Sequence, residues 1–253
     1  MKTMTFLLLF GSKSDSAHAH SLEQALAPHT CRTHYLSAHR HPDQLLALLK
    51  KQTDVDAIFA GAGLAAHLPG VVCSKTMLPV FGYPLPGALS GLDALLSILQ
   101  MPSGLPVGTV GINGAPMFGR FIQSWKTHSC VELVFKDVTT EQEQKLREKC
   151  KKWIELFEIP LKDNDSSDVF TIQFTGPNAT PLHENSINIP TVPDSIKDDP
   201  AFAVQLFEQM KQGGIWTGIN NVKNGIAWSV QIQPQWREQH LQLLWDLKQG
   251  RIR

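Results

Sequence analysis

An imidazole and a guanidinium stand side by side in Ser37-Ala38-His39-Arg40-His41-Pro42. Arginine carries a permanently charged, planar fork that matches a phosphate group. Histidine can take up or return a proton near neutral pH, and an adjoining cation favours the neutral, proton-accepting ring. Together they suit acid–base chemistry on an anionic substrate. The same residues would also serve as a surface histidine and an ion-paired arginine ahead of a helix, and His41 is read in that plainer way. A second candidate stretch is Gly11-Ser12-Lys13-Ser14-Asp15. A strand that ends in glycine and hydroxyls before a helix presents free backbone N–H groups to an anion. Ser12 and Ser14 can donate to phosphate oxygens, and Asp15 can accept from ribose hydroxyls. Helix capping by Ser14 or Asp15 is the plainer role, and both roles stay open.

The third stretch, Ala60-Gly61-Ala62-Gly63-Leu64-Ala65-Ala66-His67-Leu68-Pro69-Gly70, is made largely of small residues. Such residues let backbone approach a ligand closely, and they serve equally for tight packing of helix on sheet. His67 could satisfy a local hydrogen bond. A fourth stretch runs from Ala88-Leu89-Ser90-Gly91-Leu92-Asp93 into Ser97–Val107, and its proline and glycine content after a helix reads as a rigid connection, of the kind found at a subunit contact. Neither GxGxxG nor GxxxxGK[ST] occurs, so no dinucleotide or nucleoside triphosphate loop is supported. No GxSxG elbow occurs, and no His, Cys, Asp and Glu cluster has metal-ligand spacing.

These stretches need elements to position them. Up to Ser129, short apolar runs alternate with helical segments. Strands are expected over Thr5–Phe10, Thr33–Ser37, Asp56–Ala60, Leu78–Gly82 and Val107–Ile112, with helices between them and a last helix to about Lys126. Five strands separated by helices imply a parallel sheet covered on both faces, with right-handed crossovers: a three-layer, doubly wound α/β domain over residues 1–129. Ligands sit at the carboxyl ends of such strands, where the first three stretches fall. Residues 130–253 read as a smaller α+β domain. Its expected parts are strands at Val131–Phe135 and Val169–Phe174, a helix opened by a Thr140/Glu143 capping box, a long irregular proline-bearing stretch, a helix at about 201–211, a hairpin around Asn220–Gly225 and a final helix at about 236–248.

The composition fits a packed core, with 42% hydrophobic and 18% charged residues. A formal net charge of zero over 253 residues gives no electrostatic case for nucleic acid or membrane. The apolar run Phe6–Phe10 is too short to span a bilayer and lacks the cleavage site of a secretory leader. The four cysteines, Cys31, Cys73, Cys130 and Cys150, form no CxxC pair. Reduced, mostly buried thiols in a cytoplasmic protein are expected.

The succession GSKSD, SAHR-x-P, AGAG-x-AAHLPG, ALSG-x-D-x-L-x-SI-x-QMP and G-x-PVGT, across about residues 5–112, resembles the 5-(carboxyamino)imidazole ribonucleotide mutase family of purine synthesis. The resemblance implies a flavodoxin-like sheet, a homo-oligomer (an octamer in that family) and no cofactor. It implies an enzyme that moves the carboxylate of its aminoimidazole ribonucleotide substrate from the exocyclic nitrogen to a ring carbon. By motif position, Ser12, Asp15 and Arg40, with Ser14 and Ser37 beside them, would hold the ribose phosphate. His39 would be the general acid/base. Gly61, Ala62 and Gly63, with His67 and Leu68, would line the carboxylate and carbon dioxide site. The His67-Leu68-Pro69-Gly70 segment follows the mutase rather than the class that takes carbon dioxide directly. Leu64 stands where the family usually has glycine, and Asn113–Arg120 replaces its usual small-residue helix. These departures keep two alternatives open: a non-catalytic ligand-binding or scaffolding homologue, and a direct carboxylase. A pyridinium carboxylase on the same fold is disfavoured, because that family places the related domain in its C-terminal half. Trp216, Trp228, Trp236 and Trp245 suggest that the C-terminal residues add subunit contacts, unless they form a core of their own.

Overall fold

The computed structural model describes residues 3–64 and 66–252; Ala65, in the small-residue turn, lies outside the described residues. The first half folds as β1 (Thr5–Phe10), α1 (Ser16–Leu26), β2 (Thr30–Tyr35), α2 (Pro42–Lys50), β3 (Ala57–Ala62), α3 (His67–Cys73), β4 (Val80–Pro84), α4 (Leu92–Leu99), β5 (Gly108–Thr109) and α5 (Ala115–Ser124). The sheet order is β2-β1-β3-β4-β5, all parallel, the flavodoxin-like arrangement expected. Successive side chains of a strand point to opposite faces. Phe6, Leu8, Phe10, Phe59 and Phe81 accordingly pack under α1 and α5, while Leu7, Leu9, Ile58 and Ala60 pack under α2, α3 and α4.

The boundaries differ where the apolar signal is weakest. β2 begins at Thr30 and ends at Tyr35, ahead of the expected Thr33–Ser37, because an edge strand is only half covered and carries no apolar run. β3 and β4 extend two residues further than expected, through Ala62 and Pro84. β5 is reduced to Gly108–Thr109.

The second half comprises β6 (Cys130–Lys136), α6 (Thr140–Leu156), β7 (Val169–Thr175), β8 (Ser186–Pro190), α7 (Pro200–Met210), α8 (Val222–Ile232), α9 (Pro234–Gln239) and α10 (Leu241–Lys248). Its strands form a smaller sheet, β6-β7-β8, also parallel. The capping box sits one residue early: Gln142 N donates to Thr139 Oγ1 and Thr139 N donates to Gln142 Oε1, each at 3.3 Å. Strand β8 falls in the stretch read as irregular. The expected hairpin is instead the start of α8, where Asn221 accepts from Asn224 N. Every described residue of α8 except Lys223 is buried, so the helix lacks the one-sided pattern by which surface helices are recognised.

Ile215–Thr217 joins the two sheets. Trp216 exchanges backbone hydrogen bonds with Thr109 of β5, while Ile215 O and Thr217 N pair with Asn188 of β8. Trp228 closes the seam. It packs edge-on against Phe81 and near Phe121, over Gly108, where an added Cβ would lie 2.4 Å from the indole. Trp216 and Trp228 are fully buried and Trp236 nearly so, which leaves only Trp245 exposed. Trp228 and Trp236 thus belong to a core shared by both halves, and Trp216 to a second cluster with Leu95 and Leu99 of α4.

Candidate active site

The first three candidate stretches converge on one cavity of about 520 Å³ at the carboxyl ends of β1, β2 and β3. Ser12, Ser14 and Asp15 form one wall, Ser37, His39 and Arg40 a second, and Ala62, Gly63, His67 and Leu68 a third. The Pro86-Gly87 turn after β4 completes the rim. That turn was missed, although its breaker residues directly after an apolar run are a readable strand-end signal.

Local structure fixes each wall. Residues Lys13–Asp15 make a 3-10 turn in which Ser12 Oγ accepts from Ser14 N at 3.3 Å and Asp15 Oδ2 accepts from Ser12 N at 3.2 Å. The cap is formed by Ser12 rather than Ser14, with Asp15 answering it from the third position, and the turn holds both side chains at the cavity edge. The second wall is a turn closed by His41 N donating to Ser37 O at 2.9 Å, with Arg40 N donating to Ser37 Oγ at 3.3 Å. The Arg40 side chain stays exposed. Pro42 then opens α2 at a position where its missing N–H costs nothing.

His39 Nε2 lies 3.1 Å from His67 Nδ1, with the rings edge-on at 5.1 Å between centroids. One nitrogen must donate and the other accept, so the tautomers of the two rings are coupled. Leu64 sits between the second and third walls with φ of 52° and is 65% exposed. A left-handed backbone favours glycine.

One expected residue lies elsewhere. Gly61 does not line the cavity; it is buried in β3, where an added Cβ would lie 2.3 Å from the Phe10 ring. Its small size serves packing, the alternative open for this stretch. A larger hollow, about 620 Å³, lies between α4 and α7. Its walls carry Leu99, Phe202 and Leu206 and no imidazole. Among the described residues, no group of three or more His, Cys, Asp or Glu side chains could hold a metal ion, and no helix is long and apolar enough to cross a membrane.

Known proteins bear on this geometry. Residues 5–131 match the family model for AIR carboxylase. An N5-carboxyaminoimidazole ribonucleotide mutase of Pyrococcus abyssi is 55% identical over 83 residues, 32% of this chain and 48% of that one. The Haemophilus influenzae protein of the same name is 44% identical over 119 residues, 45% of this chain and 73% of that one. A crystal structure of Treponema denticola PurE superposes with TM-score 0.44 at 23% identity, covering 60% of this chain and 94% of that one. The chain spans about half the length of the Pyrococcus abyssi relative. With a match over residues 5–131 and relatives of this similarity, the chain belongs to the AIR carboxylase family.

Proposed function

We propose that this protein is an N5-carboxyaminoimidazole ribonucleotide mutase of purine biosynthesis, converting that nucleotide to its 4-carboxy-5-aminoimidazole isomer. One observation carries the reading: anion-binding groups, a histidine pair and a small-residue wall meet in a single cavity. Ser12, Ser14, Asp15, Ser37 and Arg40 hold the ribose phosphate. Ala62, Gly63 and Leu68 enclose the carboxylate.

The reaction is an isomerisation and balances without a co-reactant. The bond from the exocyclic nitrogen to the carboxylate carbon breaks, releasing carbon dioxide inside the cavity and an electron-rich aminoimidazole. The ring carbon attacks that carbon dioxide and forms the new carbon–carbon bond. The proton displaced from this carbon passes to the His39/His67 pair, and a proton from the pair returns to the exocyclic nitrogen, leaving the amine. Holding both fragments against a wall with few polar side chains keeps the carbon dioxide from escaping.

On this reading the enzyme works in the cytoplasm as a homo-oligomer. Leu64 at the cavity and Leu89 two residues beyond its Pro86-Gly87 rim supply exposed apolar surface, at 65% and 76% exposure.

The test is turnover of the carbamate nucleotide by purified protein, with and without added bicarbonate. Rearrangement that is independent of bicarbonate is expected, and His39→Asn should lower kcat by about 10²–10⁴-fold. Turnover that requires bicarbonate would assign a direct carboxylase, and none at all would leave a ligand-binding homologue.

A further inference from the structure

Helix α3 carries His67 at its first position and ends at Cys73. The C-terminal half grips that end directly: Lys248 Nζ, on α10, donates to Cys73 O and to Thr76 O at 2.6 Å each. These carbonyls lie at and just beyond the end of α3, where a cation is favoured by the helix dipole and by unsatisfied acceptors.

A second grip reaches the middle of α3. Gly70 has no side chain because Met101 lies against it; an added Cβ would stand 2.9 Å from Met101 Sδ. Met101 belongs to the loop 101–105, which lines a hollow of about 340 Å³ that His39 and His67 also line. The loop is fixed by Asn224, a fully buried residue of α8. Its Oδ1 accepts from Gly104 N at 2.7 Å, and its Nδ2 donates to Pro102 O at 3.1 Å. Gly104 approaches α10 so closely that an added Cβ would stand 2.6 Å from Leu247 O.

Two polar side chains, both from beyond residue 220, therefore bear on one short helix. Neither faces the cavity of the proposed reaction. A purely cohesive role for the C-terminal half would be met by apolar contact, as at Trp228; buried hydrogen bonds fix position as well as proximity, because leaving such groups unpaired is costly.

We infer that Lys248 and Asn224 are positioning residues: the C-terminal half acts as a clamp that sets α3, and through it the hydrogen bond between His67 and His39. The inference rests on the mutase reading for its kinetic consequence, but its geometric content stands apart from turnover.

The test uses the full chain with Lys248→Met, Asn224→Ala and the conservative Lys248→Arg, with Lys151→Ala on the exposed face of α6 as control. Two quantities are read: kcat and KM for the rearrangement, and the ring-nitrogen ¹⁵N resonances of His39 and His67, assigned with His39→Asn and His67→Asn. Lys248→Met and Asn224→Ala should lower kcat tenfold or more with KM changed less than threefold, and should move both rings' ¹⁵N signals. Lys248→Arg should recover most of the kcat, and the control should match the wild type. If Lys248→Met unfolds, Lys248→Arg and Asn224→Ala carry the test. Wild-type ring signals in the folded variants would overturn the clamp. If the wild-type protein does not rearrange the nucleotide, the mutase reading fails, and the ring signals alone decide the clamp.

Discussion

Thr109 and Trp216 exchange both backbone hydrogen bonds, N to O at 2.7 Å and 2.8 Å, so the edge of the five-stranded sheet is closed by a residue more than a hundred positions away. An open parallel edge exposes unpaired N–H and C=O groups. Here the same short segment also pairs with Asn188, and the two sheets become one surface through it. The Trp216 indole is fully buried and its Nε1 donates to Gly213 O at 2.7 Å. Trp216→Ala should therefore cost about 3–5 kcal/mol, the range for emptying a core aromatic site. Urea unfolding followed by far-ultraviolet circular dichroism should show one transition at lower denaturant. Two separated transitions in the variant would mean that the halves are held together mainly by this segment.

Acid should weaken the fold at His128. The side chain is buried, with Phe170 beside it and Nδ1 3.3 Å from Asp168 Oδ1. Burial pushes the His128 imidazole below its ordinary range, against the pull of Asp168. The unfolded ring titrates near about 6.5. As pH falls below that value the unfolded chain takes up a proton that the native site resists, so stability drops toward the depressed folded value. Lys126, hydrogen-bonded to Asp168, holds that carboxyl below its usual range, and its contribution is lost only at lower pH still. Melting temperature should fall between pH 7 and pH 5, and His128→Phe should flatten that slope. A variant that keeps the wild-type slope would place the titration elsewhere.

Glycine and leucine exchange their expected roles in the small-residue stretch. Gly61→Ala should destabilise by about 1–3 kcal/mol, because the methyl group would enter the Phe10 ring in a packed sheet. Leu64→Gly should instead stabilise by about 0.5–1 kcal/mol: relief of a left-handed backbone, worth about 1–2 kcal/mol, exceeds the entropy that glycine loses on folding. Thermal melts of the two variants should move in opposite directions. A destabilised Leu64→Gly would show that the exposed leucine side chain makes a contact worth more than the strain.

The contrast between Gly61 and Gly63 shows what could be read from the residues alone. Order and spacing of short motifs sufficed to bring Ser12, His39, Gly63 and His67 to one cavity, because strand ends in a parallel sheet point the same way. Which glycine lines the cavity depends on strand register, and β3 runs to Ala62 rather than Ala60. The His39–His67 contact joins residues far apart in sequence and has no local signature. Strand β8 and helix α8 were illegible for a related reason. Ser186-Ile187-Asn188-Ile189 does alternate, but the run is short and lies in a proline-bearing stretch, whereas α8 is buried nearly all round and has no one-sided stripe.

Arg40 and His39 adjoin in sequence yet should fail differently when replaced. Arg40 is exposed at the cavity wall, where a guanidinium can meet a phosphate once substrate arrives. On the mutase reading that contact would be equal in ground state and transition state, because the phosphate is remote from the migrating carboxylate. Uniform binding of this kind raises KM when removed and leaves kcat alone. Arg40→Ala should thus raise KM by about 10–100-fold, the loss of about 1.5–3 kcal/mol expected for hydrogen bonds to a charged group. Arg40→Lys should recover only part, since an ammonium keeps the charge and loses the two-point fork. His39→Asn should instead lower kcat with little change in KM. Steady-state kinetics on the three variants separates the roles, and a fall in kcat alone for Arg40→Ala would place the guanidinium at the reacting carbon rather than at the phosphate.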